Sequence, residues 1–211
     1  MKRTALSLIM FTVVLLPTQA THAERSIAFT PPQLGTPAAR VGGGTRSIQK
    51  ALDQAKLLST EQHIQLLAAN KTALTSSATP TLYWNTSSIP PYEIEISVQQ
   101  GENQPLLKKN IGKITTKGIQ AIRLADYGVA LVAGQDYTWS VALITDSAQP
   151  SDDLLADATI RYEIPTAPLT DTALMTKAGY WYDAVAQLIK TNSPKLPELL
   201  RQEGIALTVA K

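Results

Sequence analysis

The side chains suited to chemistry sit in three places. The first is "VGGGTR", Val41 to Arg46, a glycine-rich stretch of the kind whose backbone N–H groups cradle a phosphate. That chemistry requires a strand before the glycines and a Lys-Ser or Lys-Thr pair opening a helix after them. Here no such pair follows, and the proline-rich "FTPPQLGTPAAR" precedes. The expectation is instead an arm, flexible or strand-adding, that lies along the sandwich and lets Arg40 and Arg46 grip a partner's carboxylate.

The second place is the acidic group Asp146, Asp152, Asp153 and Asp157 around "DSAQPSDD". Clustered carboxylates supply the oxygen ligands that calcium takes. The segment does not match an EF-hand, and Ser147 and Pro150 are ordinary turn residues, so plain turn chemistry is the main expectation and a calcium loop the alternative. The third is His63, which stands in "TEQHIQLLAAN" with no G-x-S-x-G elbow anywhere in the chain, so a structural histidine is expected. One histidine beyond residue 23 and no cysteine exclude a zinc site. A glycosidase would want two acids across an aromatic-lined cleft, and nothing in the pattern puts Asp152 or Asp153 on one. No catalytic residue, metal or cofactor is expected.

These stretches depend on the rest of a 211-residue chain for their placement. It opens with Lys2 and Arg3, an apolar run from Ala5 to Leu16, and then Thr21 and Ala23 at the spacing signal peptidase accepts. That is the pattern of a secretory signal over 1–23, cut before Glu24. The run is shorter than the ~20 residues that span a bilayer, so no anchor is expected after cleavage, and without cysteine no lipid attachment. Removing Lys2 and Arg3 from the 19 basic residues leaves a number equal to the 17 acidic ones. A neutral mature chain lacks the clustered positive charge that nucleic-acid binding needs. Without disulfides, an exported chain of about 188 residues must be held by an apolar core.

From Thr79 the apolar period is two. Tyr92, Ile94, Ile96 and Val98 point one way in "PYEIEISV"; Tyr137, Trp139, Val141 and Leu143 do so in "YTWSVAL"; Ile160, Tyr162 and Ile164 do so in "TIRYEI". "PTLYW" adds Leu82 and Trp84, and weaker strands are expected at Thr72 to Thr75, Leu106 to Ile111 and Ile119 to Leu124. Short strands separated by turn residues, without helices between them, predict an antiparallel β-sandwich. In "LVAGQDY" the spacing of Leu131, Gly134 and Tyr137 resembles the tyrosine corner of fibronectin type III and immunoglobulin-like sandwiches. Trp84 and Trp139 are then core residues of opposing sheets.

After "IPTAP" the period becomes helical. Asp171 caps a short helix that runs to Lys177 and is broken by Gly179; Trp181, Ala184, Val185, Leu188 and Ile189 share one face of a second; Pro194 and Pro197 open a third, stopped by Gly204. The result resembles about one tetratricopeptide-like unit, which must dock on the sandwich or on a partner to bury its apolar face. The expected organisation is a signal peptide over 1–23, an N-terminal arm over 24–70 with a short helix at Ile48 to Leu58, a sandwich over 71–168 and a C-terminal helical hairpin over 169–211.

In this order, "FTPP", "GGGTR", "PTLYW", "AGQDYTWSVAL", "IRYE" and "AGYWYDA" resemble the domain-of-unknown-function family 928, exported bacterial proteins common in cyanobacteria. The resemblance implies export and this fold but no activity. It also implies a cysteine soon after GGGTR and another before the aspartate of the C-terminal strand turn. This chain has Thr145 before Asp146 and no cysteine at all, so any family disulfide is dispensable here.

The functional expectation is an exported, non-enzymatic interaction module acting at the cell envelope, periplasmic or extracellular, through a protein partner, with Arg40, Arg46, Trp181 and Tyr182 as the contact residues. The alternative is a carbohydrate-binding module in which Tyr83, Tyr92 or Trp181 stacks on sugar rings. Partner identity and oligomeric state have no signature in the sequence.

Overall fold

The alternating stretches pair into two sheets. In a computed structural model, residues 27–34, 64–144 and 154–207 are described. Strands β1 (Ile64–Leu66), β3 (Thr81–Thr86) and β6 (Gly118–Arg123) form a three-stranded sheet in the order β1-β3-β6. The second sheet contains β2 (Ala73–Thr75), β4 (Glu93–Gln99), β5 (Leu107–Gly112), β7 (Asp136–Ile144) and β8 (Leu154–Tyr162), ordered β2-β8-β7-β4-β5. In immunoglobulin lettering this is A-B-E facing A′-G-F-C-C′. The chain is thus mainly β with three short helices at its C-terminal end: α1 (Thr172–Lys177), α2 (Trp181–Lys190) and α3 (Leu196–Gln202).

Alternation decides which face each strand buries. Ile94, Ile96 and Val98 of β4, Tyr137, Trp139, Val141 and Leu143 of β7 and Leu82 and Trp84 of β3 all lie in one core. Each large side chain so placed contributes about 1.5–3 kcal/mol relative to exposure. The weaker strand signals hold as β2, β5 and β6. Two expectations are corrected. The sandwich is not wholly antiparallel, because β2 runs parallel to β8 with Ala73 opposite Ile160; the chain leaves the first sheet at β1 and joins the second at β2 without reversing. Ile164 is not inward: β8 ends at Tyr162, and Ile164 beyond it is 68 % exposed. Strand β1 also shows that pairing begins inside the stretch expected to be arm, with Ile64 opposite Thr86.

The connection from β6 to β7 is a tyrosine corner. After a single 3-10 turn at Leu124–Tyr127, the buried Leu131 leads to Val132, whose N–H donates to the Tyr137 hydroxyl at 3.0 Å. Gly134 takes the left-handed conformation that this tight return demands, at φ +77°, and its N–H reaches the Tyr162 carbonyl at 2.9 Å. Signal residues 1–23, Arg40, Arg46, the helix expected at Ile48 to Leu58, His63, Asp146, Asp152 and Asp153 lie outside the described residues.

Tyr137→Phe removes the corner bond while keeping the ring. It is expected to lower the unfolding free energy by about 1 kcal/mol. In urea denaturation the midpoint should fall with the slope unchanged; an unchanged midpoint would contradict the corner's role.

Candidate functional site

The C-terminal helices are built around the pair Trp181 and Tyr182, which opens α2. Asp171 caps α1 by accepting from the Leu174 N–H at 2.9 Å, and Gly179 turns the chain at φ +86° so that α2 can start at once. The first turn of α2 then aims both aromatics into the sandwich. The Trp181 indole donates to the Leu67 carbonyl, just past β1, at 2.9 Å. The Tyr182 hydroxyl accepts from the Trp139 indole of β7 at 3.0 Å and donates to the Thr159 carbonyl of β8 at 3.2 Å. Burial pushes the Tyr182 phenol well above its ordinary range, an effect the bond from Trp139 only partly offsets.

The sequence marks Trp181 and Tyr182 as contact residues for a partner; the structure turns the Tyr182 hydroxyl wholly inward and leaves Trp181 only the ring contact with Phe29. Trp181 and Tyr182 are 0 % and 4 % exposed and belong to the same core as Trp84 and Trp139. The reason is the period of α2: its apolar face, continued by Val185 and Leu188, packs beside β2 and β3 as well as on the neighbouring helices. Of the core tryptophans, Trp139 and Trp181 have their indole N–H satisfied, whereas that of Trp84 has no partner among the described residues.

Polar bonds complete the joint. Asp183 accepts from the Ser76 N–H at 2.7 Å and the Ser76 hydroxyl at 2.9 Å. Burial raises its carboxyl above the ordinary range against the opposing pull of those bonds. The Leu74 N–H donates to the Gly179 carbonyl at 2.9 Å, and Glu203 after α3 accepts from the Asn70 N–H at 2.8 Å.

Against the outer side of these helices lies the described part of the arm, residues 27–34. These residues form no strand and bond to the helices, whereas the rest of the stretch expected to be a flexible or strand-adding arm along the sandwich lies outside the described residues. The Gln202 side chain reads its backbone twice, donating to the Ile27 carbonyl at 2.8 Å and accepting from the Phe29 N–H at 2.8 Å. The Thr30 N–H donates to the Thr176 carbonyl at 3.0 Å. Ile27 is buried, and the Phe29 ring meets Trp181 edge to face with centroids 4.8 Å apart. Pro32 packs on Gly179 so tightly that a Cβ there would stand 3.0 Å from its ring. The "FTPP" and "AGYWYD" motifs, at opposite ends of the chain, therefore meet in one groove. Its chemistry is that of peptide recognition: backbone bonds for affinity, and places for an apolar residue, an aromatic ring and a proline for specificity. Gln202 carried no signal in the sequence, because "ELLRQEG" reads only as an amphipathic helix end.

The other singled-out aromatics do not converge. Tyr83 is on β3 of the smaller sheet and Tyr92 precedes β4 of the larger, both half-buried. Asp157 is on β8 and exposed. Among the described residues no group of three or more acidic or histidine side chains stands close enough to hold a metal ion, and no helix is long and apolar enough to cross a membrane.

Two expected outcomes follow from the joint. Tyr182→Phe leaves the buried Trp139 N–H without its acceptor and the part-buried Thr159 carbonyl without its donor, and should cost about 2–3 kcal/mol, more than Tyr137→Phe, in the same urea assay. For Asp183 the folded carboxyl binds its proton more tightly than the unfolded one. Its contribution to stability is present below the ordinary carboxylate range and is lost as pH rises through the raised value. Asp183→Asn, in which the amide oxygen accepts from the Ser76 N–H and the amide N–H meets the Ser76 hydroxyl, should remove that fall. A stability-against-pH curve identical to wild type would contradict the assignment.

Neither a curated protein nor a solved structure matches the chain significantly. A family model described as Domain of Unknown Function (DUF928) matches residues 41–204, taking in both described sheets and the three described helices and starting downstream of the "FTPP" segment. The chain belongs to the DUF928 family.

Proposed function

We propose that this protein is an exported, non-enzymatic interaction module that works at the cell envelope by holding an extended segment of protein in the groove formed by its C-terminal helices. One observation carries the reading: Gln202 and Thr176 bond the backbone of residues 27–30 while Trp181 and Gly179 receive Phe29 and Pro32. The backbone bonds are indifferent to the side chains of the bound segment, so a partner segment with an aromatic residue three positions before a proline has the chemistry to compete for the groove. The signal-like residues 1–23 support export, and the neutral mature composition supports a protein partner over nucleic acid. The sugar-stacking alternative is weakened by the burial of Trp181 and by the separation of Tyr83, on the smaller sheet, from Tyr92, which precedes β4 of the larger.

The test is affinity capture from the host's envelope fraction with residues 24–211, alongside the Gln202→Ala variant, with proteins and glycans both identified. A specific protein whose recovery changes several-fold with Gln202→Ala is the expected result. Glycan without protein would transfer the reading to sugar binding, and a protein recovered equally by both baits would remove the groove from the account. Deleting the helices is not a usable control, because they share the core of the sandwich.

A further inference from the structure

Strand β8 is covered unequally on its two sides. On one side β7 pairs with it from Leu154 to Arg161, while on the other β2 reaches only Ile160 to Tyr162. The Thr159 carbonyl faces that second side, where it meets the Tyr182 hydroxyl. Peptide groups in an antiparallel strand alternate in direction, so those of Leu155 and Asp157 point to the same open side. Nothing among the described residues bonds to them there. Alongside runs a depression of about 400 Å³ bounded by β8, by the edge of β1 that no described strand pairs with, and by Glu203 after α3. Ala156 and Ala158 line it on the β8 side, small enough for another backbone to come close.

The opposite edge of the same sheet is protected. Strand β5 presents Lys108 and Lys109 to solvent, a common device against unwanted strand pairing. The open part of β8 has no lysine; its exposed side chains are Leu155, 49 % accessible, and Asp157. These two stand on one face, two residues apart, and share the lining of the depression with Glu203.

We infer that the open edge of β8 at residues 154–158 is a strand-addition site for an extended segment of a partner protein that carries an apolar and a basic residue two positions apart. Backbone bonds go to the peptide groups of Leu155 and Asp157, the apolar side chain packs on Leu155, and the basic one faces Asp157 and Glu203. Tyr182 and β2 end the site at Thr159, so it takes a short strand of about five residues. The inference deepens the reading of the chain as an interaction module, but it concerns a surface separate from the arm groove and is tested without any envelope component.

The probe is the peptide acetyl-Val-Thr-Lys-Thr-Val-amide, which places valine and lysine two apart in either direction, added at millimolar concentration to residues 24–211. Backbone amide exchange is followed by NMR. The expected result is about tenfold slower exchange at Leu155 and Asp157, absent with a peptide in which both threonines are proline and weaker with glutamate in place of lysine. Leu155→Pro removes one outward N–H that bonds to no described residue, so it should leave the β7 ladder intact and abolish the protection. Asp157→Lys should fold normally and reverse the preference to the glutamate peptide. Protection centred on β5 or on the arm groove, or no protection in the wild type, would overturn the site. So would an unchanged preference in Asp157→Lys.

Discussion

The hydroxyl of Tyr182 accepts the indole N–H of Trp139 and donates to the carbonyl of Thr159, and through that one atom α2 is joined to β7 and β8 together. Its neighbour Trp181 makes the equivalent bond to Leu67, beside the other sheet. Two consecutive aromatic residues thus tie the helices to both layers of the sandwich. Because their polar atoms are satisfied in the interior, the burial of two large rings there carries no desolvation penalty of the kind an orphaned N–H imposes. The gap that a sandwich leaves at its edge is closed by helices here, and the remaining bonds, from Ser76 to Asp183 and from Asn70 to Glu203, follow the same seam.

The groove for the arm is a consequence of that joint. Trp181 is held from within by Leu67, so the ring it offers to Phe29 is fixed before the arm arrives. Gly179 must be glycine for two separate reasons that coincide: the turn between α1 and α2 requires positive φ, and Pro32 requires the space a Cβ would fill. Preorganisation of this sort lowers the ordering cost of binding an extended segment. The groove and the open edge of β8 meet at the end of α3, where Gln202 serves the arm and Glu203 borders the edge.

Much of the architecture was legible in the sequence because it obeys local rules. The period of two in "EIEISV" and "YTWSVAL" sets the buried faces of β4 and β7, the Leu-Gly-Tyr spacing marks the corner at Tyr137, and Asp171, Gly179 and Pro197 bound the helices. What was not legible depends on contacts between distant residues. The direction in which Trp181 and Tyr182 face follows from where α2 docks, and an aromatic pair at a helix start reads equally well as a surface patch. Gln202 to Ile27 spans nearly the whole chain, and the parallel pairing of β2 needs the sheet switch after β1, which leaves no periodic trace in so short a strand.

The claim on which the rest stands is that the helices and the sandwich are one cooperative unit. Native-state hydrogen exchange under mild denaturant tests it directly by comparing the slowest amides of α2 with those of β7. The account predicts that both open with the same free energy and the same denaturant dependence, as parts of a single global transition. Exchange of the α2 amides through a separate, lower-energy opening, with β7 still protected, would show that Trp181 and Tyr182 do not bind the two parts together.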